Sequence, residues 1–290
     1  MENVLRMTAP RVIESIFEMR REIRLHRVHT RRIALVPTMG YLHDGHVSLL
    51  RAARETADIV VLSIFVNPMQ FGPREDLARY PRDLEGDLAK AAKAGVDLVF
   101  APRAEDMYPK GFQTSVEVKE VSQGMCGERR PGHFVGVATV VLKLFHIVEP
   151  DVAIFGEKDF QQLQVIKRMV RDLDVPVEVA GLPIVRESDG LAMSSRNAYL
   201  SEGERKQALG LSQALNAARE KYAAGERDAA AIVGAAKGVL DRAEGIKLEY
   251  LELRDAASLA VVSGKVEAPV VLAVAGQVGA TRLIDNAILV

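Results

Sequence analysis

Cysteine is nearly absent from this sequence, and long apolar runs are missing. A single cysteine, Cys126, excludes an internal disulfide and a cluster of thiolate metal ligands, which favours a reducing compartment. No run of about eighteen apolar residues occurs, which argues against a membrane-spanning helix. The N-terminal residues, among them Glu2 and Arg6, form no apolar core typical of a signal peptide. We therefore expect a cytoplasmic protein with no membrane partner.

The sequence also lacks a large excess of charge of either sign. Its 290 residues are 48% hydrophobic and 27% charged, and the formal net charge is -1 at pH 7. This composition is typical of a globular protein and gives no overall attraction to a polyanion. A basic stretch at residues 20–32 could contact nucleic acid, but its mixture with apolar residues is more typical of a solvated helix face. We expect no nucleic-acid partner.

Short apolar runs rich in β-branched residues alternate with segments of helical periodicity. The runs at residues 33–36, 59–66, 98–101, 152–155 and 177–182 predict strands, and residues 47–57, 84–94, 134–148 and 161–173 predict helices. This alternation predicts an α/β fold with a doubly wound, Rossmann-like parallel sheet.

The pattern changes after about residue 186. Helical patterns at residues 206–223 and 229–243, followed by apolar runs at 247–253, 270–275 and 281–284, predict a second, smaller α+β domain. We therefore predict domains at residues 1–186 and 187–290. Ligands of open α/β sheets bind at the carboxyl ends of strands, and four polar clusters follow predicted strands or the predicted domain junction.

The first cluster, PTMGYLHDGH at residues 37–46, follows a strand and opens a helix. His43 and His46 are three residues apart and share one helix face. The free N–H groups and the positive end of the helix dipole favour an anion there, and two imidazoles add donors. A triphosphate is the ligand that this pattern favours over an ordinary surface turn. A metal site is less favoured because, apart from the adjacent Asp44, no third ligand lies at a suitable spacing.

The second cluster, GEKDFQQ at residues 156–162, repeats the arrangement after another strand. Asp159 and Gln162 also fit a helix capping box, so their local pattern is equally consistent with a structural role. Lys158 is well placed in a strand-end loop to neutralise charge on a transferring phosphate.

The third cluster, GLAMSSRN at residues 190–197, lies at the predicted domain junction. Its arginine could grip phosphate through a fork of N–H donors, although a solvated surface loop is the alternative. In the fourth cluster, Asn67 and Gln70 follow a strand among apolar residues. Their amides need partners, which are either backbone groups or a small polar substrate. By contrast, the segment at residues 201–204 is interpreted as a plain helix cap.

Several catalytic motifs are missing from the sequence. It contains no Gly-x-x-x-x-Gly-Lys-Ser/Thr phosphate loop and no Gly-x-Ser-x-Gly nucleophile elbow. Cationic and neutral donors without an evident base favour transfer at a nucleotide phosphate, driven by positioning and electrostatics.

The His-x-Gly-His element with a later Met-Ser-Ser loop resembles the nucleotidyl-transferase superfamily. Within it, the sequence is similar to the pantothenate synthetase family, through the motifs VPTMGYLHDGH (36–46), SIFVNPMQF (63–71), RPGHF (130–134), GEKDFQQL (156–163) and DGLAMSSRN (189–197). A late segment, LIDN at residues 283–286, resembles the family as well. The resemblance implies that ATP and pantoate form a pantoyl adenylate, which β-alanine then attacks to give pantothenate and AMP, with Mg²⁺ accompanying the ATP.

The resemblance also implies roles for individual residues. It implies that His46 is the proton donor and a phosphate contact and that Gln70 and Gln162 hold pantoate, with Gln70 also near β-alanine. The clusters themselves add His43 and Lys158 as further catalytic groups and Asn67 as a substrate residue. The ATP site would comprise Met39, Gly40, Tyr41, Leu42, His43, Asp44, Gly45, His46, Gly156, Glu157, Lys158, Asp159, Val185, Met193, Ser194, Ser195 and Arg196. Asp87 is a weak metal candidate, and we predict no protein metal site. The resemblance further implies a homodimer. Because the amine must reach the adenylate before water does, we also expect the C-terminal domain to close over ATP through the loop at residues 193–197.

Two alternatives stay open at this stage. A coenzyme adenylyltransferase would keep AMP in its product, and a nucleotide-binding regulatory protein would bind ATP without turning it over. An aminoacyl-tRNA synthetase is disfavoured, because the chain leaves no room for a large anticodon-binding part and has no net basic charge.

Overall fold

A computed structural model describes residues 9–73 and 75–290 of the chain. Glu2 and Arg6, used above to argue against a signal peptide, lie outside these residues. The described residues divide into two compact units. The first contains the described residues up to Val118 together with Arg130–Glu157 and Val165–Pro183. The second contains Lys119–Arg129, Lys158–Gln164 and Ile184–Val290.

The first unit is built on a six-stranded parallel sheet. Its strands are β1 (Arg11–Ile13), β2 (Ile33–Thr38), β3 (Ile59–Ile64), β4 (Leu98–Phe100), β5 (Val152–Gly156) and β6 (Glu178–Leu182). The spatial order is β1-β4-β3-β2-β5-β6, and all pairs are parallel. The strand order reverses between β2 and β5, and such a switch point is where doubly wound sheets bind ligands.

The described residues up to 172 contain seven α-helices. They are α1 (Ile16–Val28), α2 (Asp44–Thr56), α3 (Leu84–Lys93), α4 (Ala104–Met107), α5 (Met125–Arg129), α6 (His133–Val148) and α7 (Phe160–Asp172). Helix α2 buries Leu49, Leu50 and Ala53 in a cluster that includes Val36 and Leu62 of the sheet. Removing such side chains from water supplies about 25 cal/mol per Å² of apolar area.

The chain after Pro183 forms helices and an antiparallel sheet. These elements are α8 (Glu202–Ala223), α9 (Ala229–Leu240), β7 (Ile246–Asp255), β8 (Val270–Val278) and β9 (Thr281–Leu289). Helix α8 begins with a capping box, in which the Ser201 hydroxyl accepts a hydrogen bond from Glu204 N at 3.3 Å and the Glu204 carboxylate accepts one from Ser201 N at 2.9 Å. The prediction of a plain helix cap at residues 201–204 is therefore confirmed.

The predicted α/β class with a small C-terminal α+β part is confirmed. The predicted strand at 59–66 ends earlier, at Ile64, because Asn67 and Pro68 start a 3₁₀ helix (Pro68–Gln70). Strand β1, which is only three residues long, has no counterpart among the predicted strands. The basic stretch lies mainly on α1, which buries Met19 and Ile23 and leaves Leu25 and Val28 exposed. Among the described residues, no helix is long and apolar enough to cross a membrane.

Candidate active site

The loop between β2 and α2 carries the first predicted cluster and is held by polar contacts. The Thr38 hydroxyl donates to the carbonyl of Ser63 at 2.8 Å and accepts from Gly40 N at 3.2 Å. The chain then turns through two residues of positive φ, Gly40 (+81°) and Tyr41 (+53°). A non-glycine residue with positive φ is uncommon, so surrounding contacts must hold Tyr41 in place.

Asp87 of α3 supplies those contacts. Its two carboxylate oxygens accept from Tyr41 N at 2.8 Å and from Leu42 N at 2.6 Å. The residue is 1% exposed, and this burial raises its pKa, although the two N–H donors act in the opposite direction. A Cβ on Gly40 would lie 2.9 Å from Asp87 Oδ2, so glycine is needed at that position for steric reasons as well. Asp87 therefore fixes the loop, and its oxygens are directed at backbone N–H groups.

Both histidines of the cluster lie at the N-terminus of α2. Their ring centroids are 4.0 Å apart with a 33° tilt between the planes. Nδ1 of His46 accepts from the backbone N–H of His43 at 3.2 Å. In the neutral ring the proton is therefore on Nε2, which makes His46 a donor through that nitrogen. The helix dipole adds a partial positive charge at the same position.

The buried amide of Asn67 organises the residues after β3. Its Oδ1 accepts from the Tyr108 hydroxyl at 2.7 Å and from Met69 N at 3.3 Å. Its Nδ2 donates to Gln70 Oε1 and to the carbonyl of Gly136, both at 3.1 Å. Burial raises the pKa of Tyr108, so the phenol stays protonated and donates at neutral pH. All four hydrogen-bonding positions of the Asn67 amide thus have protein partners.

Gln70 connects the fourth predicted cluster to the first. Its Nε2 donates to Met39 Sδ at 3.3 Å, while its Oε1 is held by Asn67. Sulfur is a weak acceptor, so this contact is easily exchanged for a stronger one. The structure therefore brings Met39 and Gln70 together, although 31 residues separate them in the sequence.

The second predicted cluster leaves β5 through a 3₁₀ helix (Glu157–Asp159) that leads into α7. The two glutamines that follow behave differently. Gln161 is 7% exposed and ties down a neighbouring segment, since its side chain accepts from Cys126 N at 3.0 Å and donates to the carbonyl of Gln123 at 3.0 Å. Gln162 is only partly buried. Gln161 therefore has a structural role, while the role of Gln162 as a substrate residue stays a prediction.

Residues 185–197 form a cross-linked hairpin that leads into the third predicted cluster. Met193 N donates to the carbonyl of Val185 at 3.0 Å, and Glu187 N donates to that of Leu191 at 2.8 Å. The Asn197 amide donates to Glu187 Oε1 at 2.7 Å. These bonds place Val185 directly beside Met193, two residues that the resemblance assigns to ATP.

Within the third cluster, the Ser194 hydroxyl accepts from Arg196 N at 3.3 Å. This bond caps a 3₁₀ helix (Ser195–Tyr199), in which Ser195 is 7% exposed. Ser194 therefore shapes the backbone that presents Arg196.

Strand β9 anchors two parts of the second unit through adjacent residues. Asp285 forms two hydrogen bonds with Arg186, at 2.6 and 2.9 Å, and Arg186 also donates to the carbonyl of Gly190 at 3.1 Å. Asn286 Nδ2 donates to the carbonyl of Lys158 at 3.0 Å. The C-terminal strand therefore holds both the hairpin and the backbone of Lys158.

Comparison with known proteins decides which chemistry this arrangement serves. A family model described as pantoate-beta-alanine ligase matches residues 11–288. The chain belongs to the pantoate–β-alanine ligase family. The pantothenate synthetase of Pelobacter propionicus is 56% identical over 278 residues, which cover 96% of this chain and 98% of the relative. That of Myxococcus xanthus is 53% identical over 280 residues, which cover 96% of each.

Solved structures agree with this assignment. The crystal structure of pantothenate synthetase from Thermus thermophilus is 48% identical, has a TM-score of 0.91, and covers 96% of this chain and 98% of its own. The Francisella tularensis ligase, solved with beta-gamma ATP and β-alanine, is 33% identical with a TM-score of 0.79, covering 96% and 97%. This chain is therefore an ATP-dependent ligase that forms pantothenate from pantoate and β-alanine, as the sequence motifs predicted.

Two residues of the ligase, Tyr108 and Asp87, have positioning roles that the sequence motifs did not predict. Tyr108 was not identified, and Asp87 was considered only as a metal candidate. Their roles depend on partners 41 and about 46 residues away in the chain. One signal for Asp87 is its position in the first turn of α3. An aspartate that is buried there needs hydrogen-bond donors from elsewhere in the fold.

Proposed function

We propose that the ligase works through a pantoyl adenylate and that the predicted site residues carry both steps. In the first step a carboxylate oxygen of pantoate attacks the α-phosphorus of ATP, and the bond to the β-phosphate oxygen breaks to release pyrophosphate. In the second step the β-alanine amine attacks the acyl carbon. The bond to the AMP oxygen breaks, and pantothenate and AMP leave.

The observation that carries this proposal is the pair of imidazoles at the N-terminus of α2. Their rings lie 4.0 Å apart, and His46 Nδ1 is occupied by a backbone N–H, so its Nε2 carries the proton. Donors preorganised where negative charge develops stabilise a transition state more than solvent does. His46 is thus the proton donor to the phosphates, with His43 beside it.

Lys158 supplies a cation to the same reaction. Pantoate and ATP are both anionic, and a positive group is needed as the carboxylate approaches the α-phosphate. We assign the remaining ATP contacts to the residues implied by the family resemblance, which are Met39–His46 in the first loop, Gly156–Asp159, Val185, and Met193–Arg196.

Gln70 and Gln162 hold pantoate in this proposal, and Gln70 also lies near β-alanine. The weak Gln70 contact with Met39 Sδ, at 3.3 Å, can be exchanged for a hydroxyl or carboxylate of the substrate. Asn67 contributes by orienting Gln70, since its own amide is fully engaged by protein groups.

The described residues do not fit a magnesium site held by the protein alone. They contain no group of three His, Cys, Asp or Glu side chains that could bind a metal ion, and Asp87 directs its oxygens at two backbone N–H groups. We propose that Mg²⁺ arrives with the ATP phosphates, which are strong oxygen ligands for it.

We further propose that residues 1–186 form the ATP- and pantoate-binding domain and that residues 187–290 form a lid. Enclosing the adenylate keeps water away until β-alanine arrives. A cytoplasmic location and a homodimer complete the proposal. Sedimentation velocity tests the dimer, and protection of residues 193–197 from protease by an adenylate analogue tests the lid.

The adenylate is tested by isotope transfer with the purified ligase, ATP, magnesium, β-alanine and pantoate labelled with ¹⁸O in its carboxylate. One ¹⁸O atom should appear in AMP, because the carboxylate oxygen that attacked phosphorus stays with AMP. Unlabelled AMP, or ADP as the nucleotide product, would refute the adenylate. A coenzyme adenylyltransferase would instead release pyrophosphate and no AMP.

A further inference from the structure

Three side chains surround the backbone of Gln70 and are together called the Gln70 clamp: Glu75, Arg130 and His133. Arg130 forms two hydrogen bonds with the Glu75 carboxylate, from Nε at 2.8 Å and from Nη2 at 2.6 Å. Arg130 Nη2 also donates to the Gln70 carbonyl at 3.2 Å. His133 Nδ1 lies 2.8 Å from the same carbonyl oxygen. A single carbonyl therefore has two nitrogen donors directed at it.

The partners of His133 determine which of its nitrogens carries the proton. A carbonyl oxygen only accepts, so Nδ1 must be protonated to bond to Gln70. Nε2 lies 3.0 Å from Arg130 Nη1, and a guanidinium only donates, so Nε2 must accept. His133 is therefore the neutral Nδ1-H tautomer, and it is bonded at both nitrogens. This fixes the plane of the ring against Gln70.

Glu75 fixes the orientation of the guanidinium in the same way. Arg130 has an 11% exposed side chain and Glu75 a 25% exposed one, so water screens the pair only partly. Burial alone would raise the pKa of Glu75, but the hydrogen bond and charge of Arg130 outweigh it and lower that pKa. The two-point carboxylate contact leaves the guanidinium one orientation, in which Nη2 also donates to the Gln70 carbonyl and Nη1 points at His133.

Gln70 is consequently fixed through its main chain and its side chain independently. The clamp holds the carbonyl, while Asn67 holds the side-chain Oε1 at 3.1 Å. The clamp residues come from the RPGHF motif and from the chain segment that follows the Gln70 3₁₀ helix. Arg130 and His133 hydrogen-bond to Gln70 directly, whereas Glu75 contacts Arg130 and acts on Gln70 through it.

We propose that Arg130 and His133 are positioning residues that set the affinity for pantoate by holding the Gln70 backbone where its amide meets the substrate. This rests on the proposed role of Gln70. Holding the Gln70 carbonyl in this way requires a planar group with two donors at residue 130 and an N–H donor at residue 133. Glu75 acts one step further away, by orienting Arg130.

The experiment measures steady-state KM for pantoate and for ATP, with β-alanine saturating, in a set of variants. Arg130→Lys keeps the charge but loses the fork, and should raise the pantoate KM by about tenfold to a hundredfold with ATP KM within about twofold of the parent. His133→Leu should raise the pantoate KM about tenfold. His133→Asn presents an N–H near the position of Nδ1 and should restore most of that loss.

Arg54→Lys is the matched control. Arg54 likewise donates to one carboxylate, that of Asp97 at 2.8 Å, and to a backbone carbonyl, that of Gly95 at 3.4 Å. It lies at the opposite end of α2 from the histidines. Its variant should lose comparable thermal stability, measured by circular dichroism, with the pantoate KM unchanged. A merely structural role for Arg130 would give the two arginine variants the same kinetics.

Gln70→Ala separates this proposal from the one on which it rests. If Gln70→Ala raises the pantoate KM while Arg130→Lys and His133→Leu do not, the clamp is refuted and the substrate role of Gln70 stands. If Gln70→Ala leaves the pantoate KM unchanged, the assignment of Gln70 is itself wrong. Equal rises in the KM values for pantoate and ATP in Arg130→Lys would also overturn the clamp, because they would indicate general loosening.

Discussion

Helix α6 contacts the Gln70 backbone at Gly136. The variant Gly136→Ala therefore tests how strongly activity depends on the position of Gln70. A Cβ on Gly136 would overlap the carbonyl of Met69 and lie 2.6 Å from Gln70 N. Ordinary contacts of a Cβ begin near 3.4 Å, so one backbone must move by at least about 0.8 Å relative to the other, and further to clear the Met69 carbonyl. Both obstacles are main-chain atoms, and no side-chain rotation can relieve them.

The expected effects on stability and on activity differ in size. Overpacking costs about 1–3 kcal/mol, while replacing a helical glycine by alanine returns about 1 kcal/mol, so the net loss of stability should be small. A displacement of about 1 Å in a substrate-positioning group can reduce turnover about a hundredfold. Gly136→Ala should therefore stay folded and lose about two orders of magnitude in kcat/KM for pantoate.

The assay compares kcat/KM for pantoate, by AMP release, with thermal unfolding followed by circular dichroism. Gly234→Ala in α9 is the control, because a Cβ there would meet nothing within 4 Å. It should leave activity unchanged and raise stability by up to about 1 kcal/mol. A kcat/KM within about twofold of the parent in Gly136→Ala would refute the claim that the position of Gln70 is critical.

Three further predictions concern charge in the first unit and at Lys158. Lys158→Ala and His46→Ala should each lower kcat by about a hundredfold to a thousandfold, and near-normal turnover in either variant would contradict its role. Asp87→Asn keeps one acceptor for two N–H groups, so the free energy of unfolding in urea should fall by about 1–2 kcal/mol and the KM for ATP should rise. An unchanged midpoint of urea unfolding would count against this role of Asp87. Because Arg130 lowers the pKa of Glu75, that carboxylate stabilises the fold above its ordinary pKa of 4.5 and less as the pH falls below it. The melting temperature should accordingly drop less in Glu75→Gln than in the parent on acidification, and parallel curves would disprove the coupling.

Local sequence patterns were enough to predict most of the fold. The apolar runs at Ile33–Thr38 and Ile59–Ile64 are buried strands, because helices cover both faces of a parallel sheet and its strands are therefore apolar on both sides. The three residues of β1 were missed because so short a segment has no periodicity to read. Strand and helix ends also shifted by a few residues, as caps and turns rather than hydrophobicity set them.

The sequence by itself determined the family and the identity of the chemical groups, since the five motifs carry the histidines, lysine, amides and arginine that we propose for the reaction. Tertiary structure alone decided how those groups are held. Asp87 meets the first loop, and Arg130 and His133 meet the Gln70 carbonyl 60 and 63 residues away. Contacts across such distances depend on the order of strands in the sheet and on helix packing. A buried polar group bonds to a partner that the fold brings within about 3 Å. The local sequence pattern does not specify which residue that partner is.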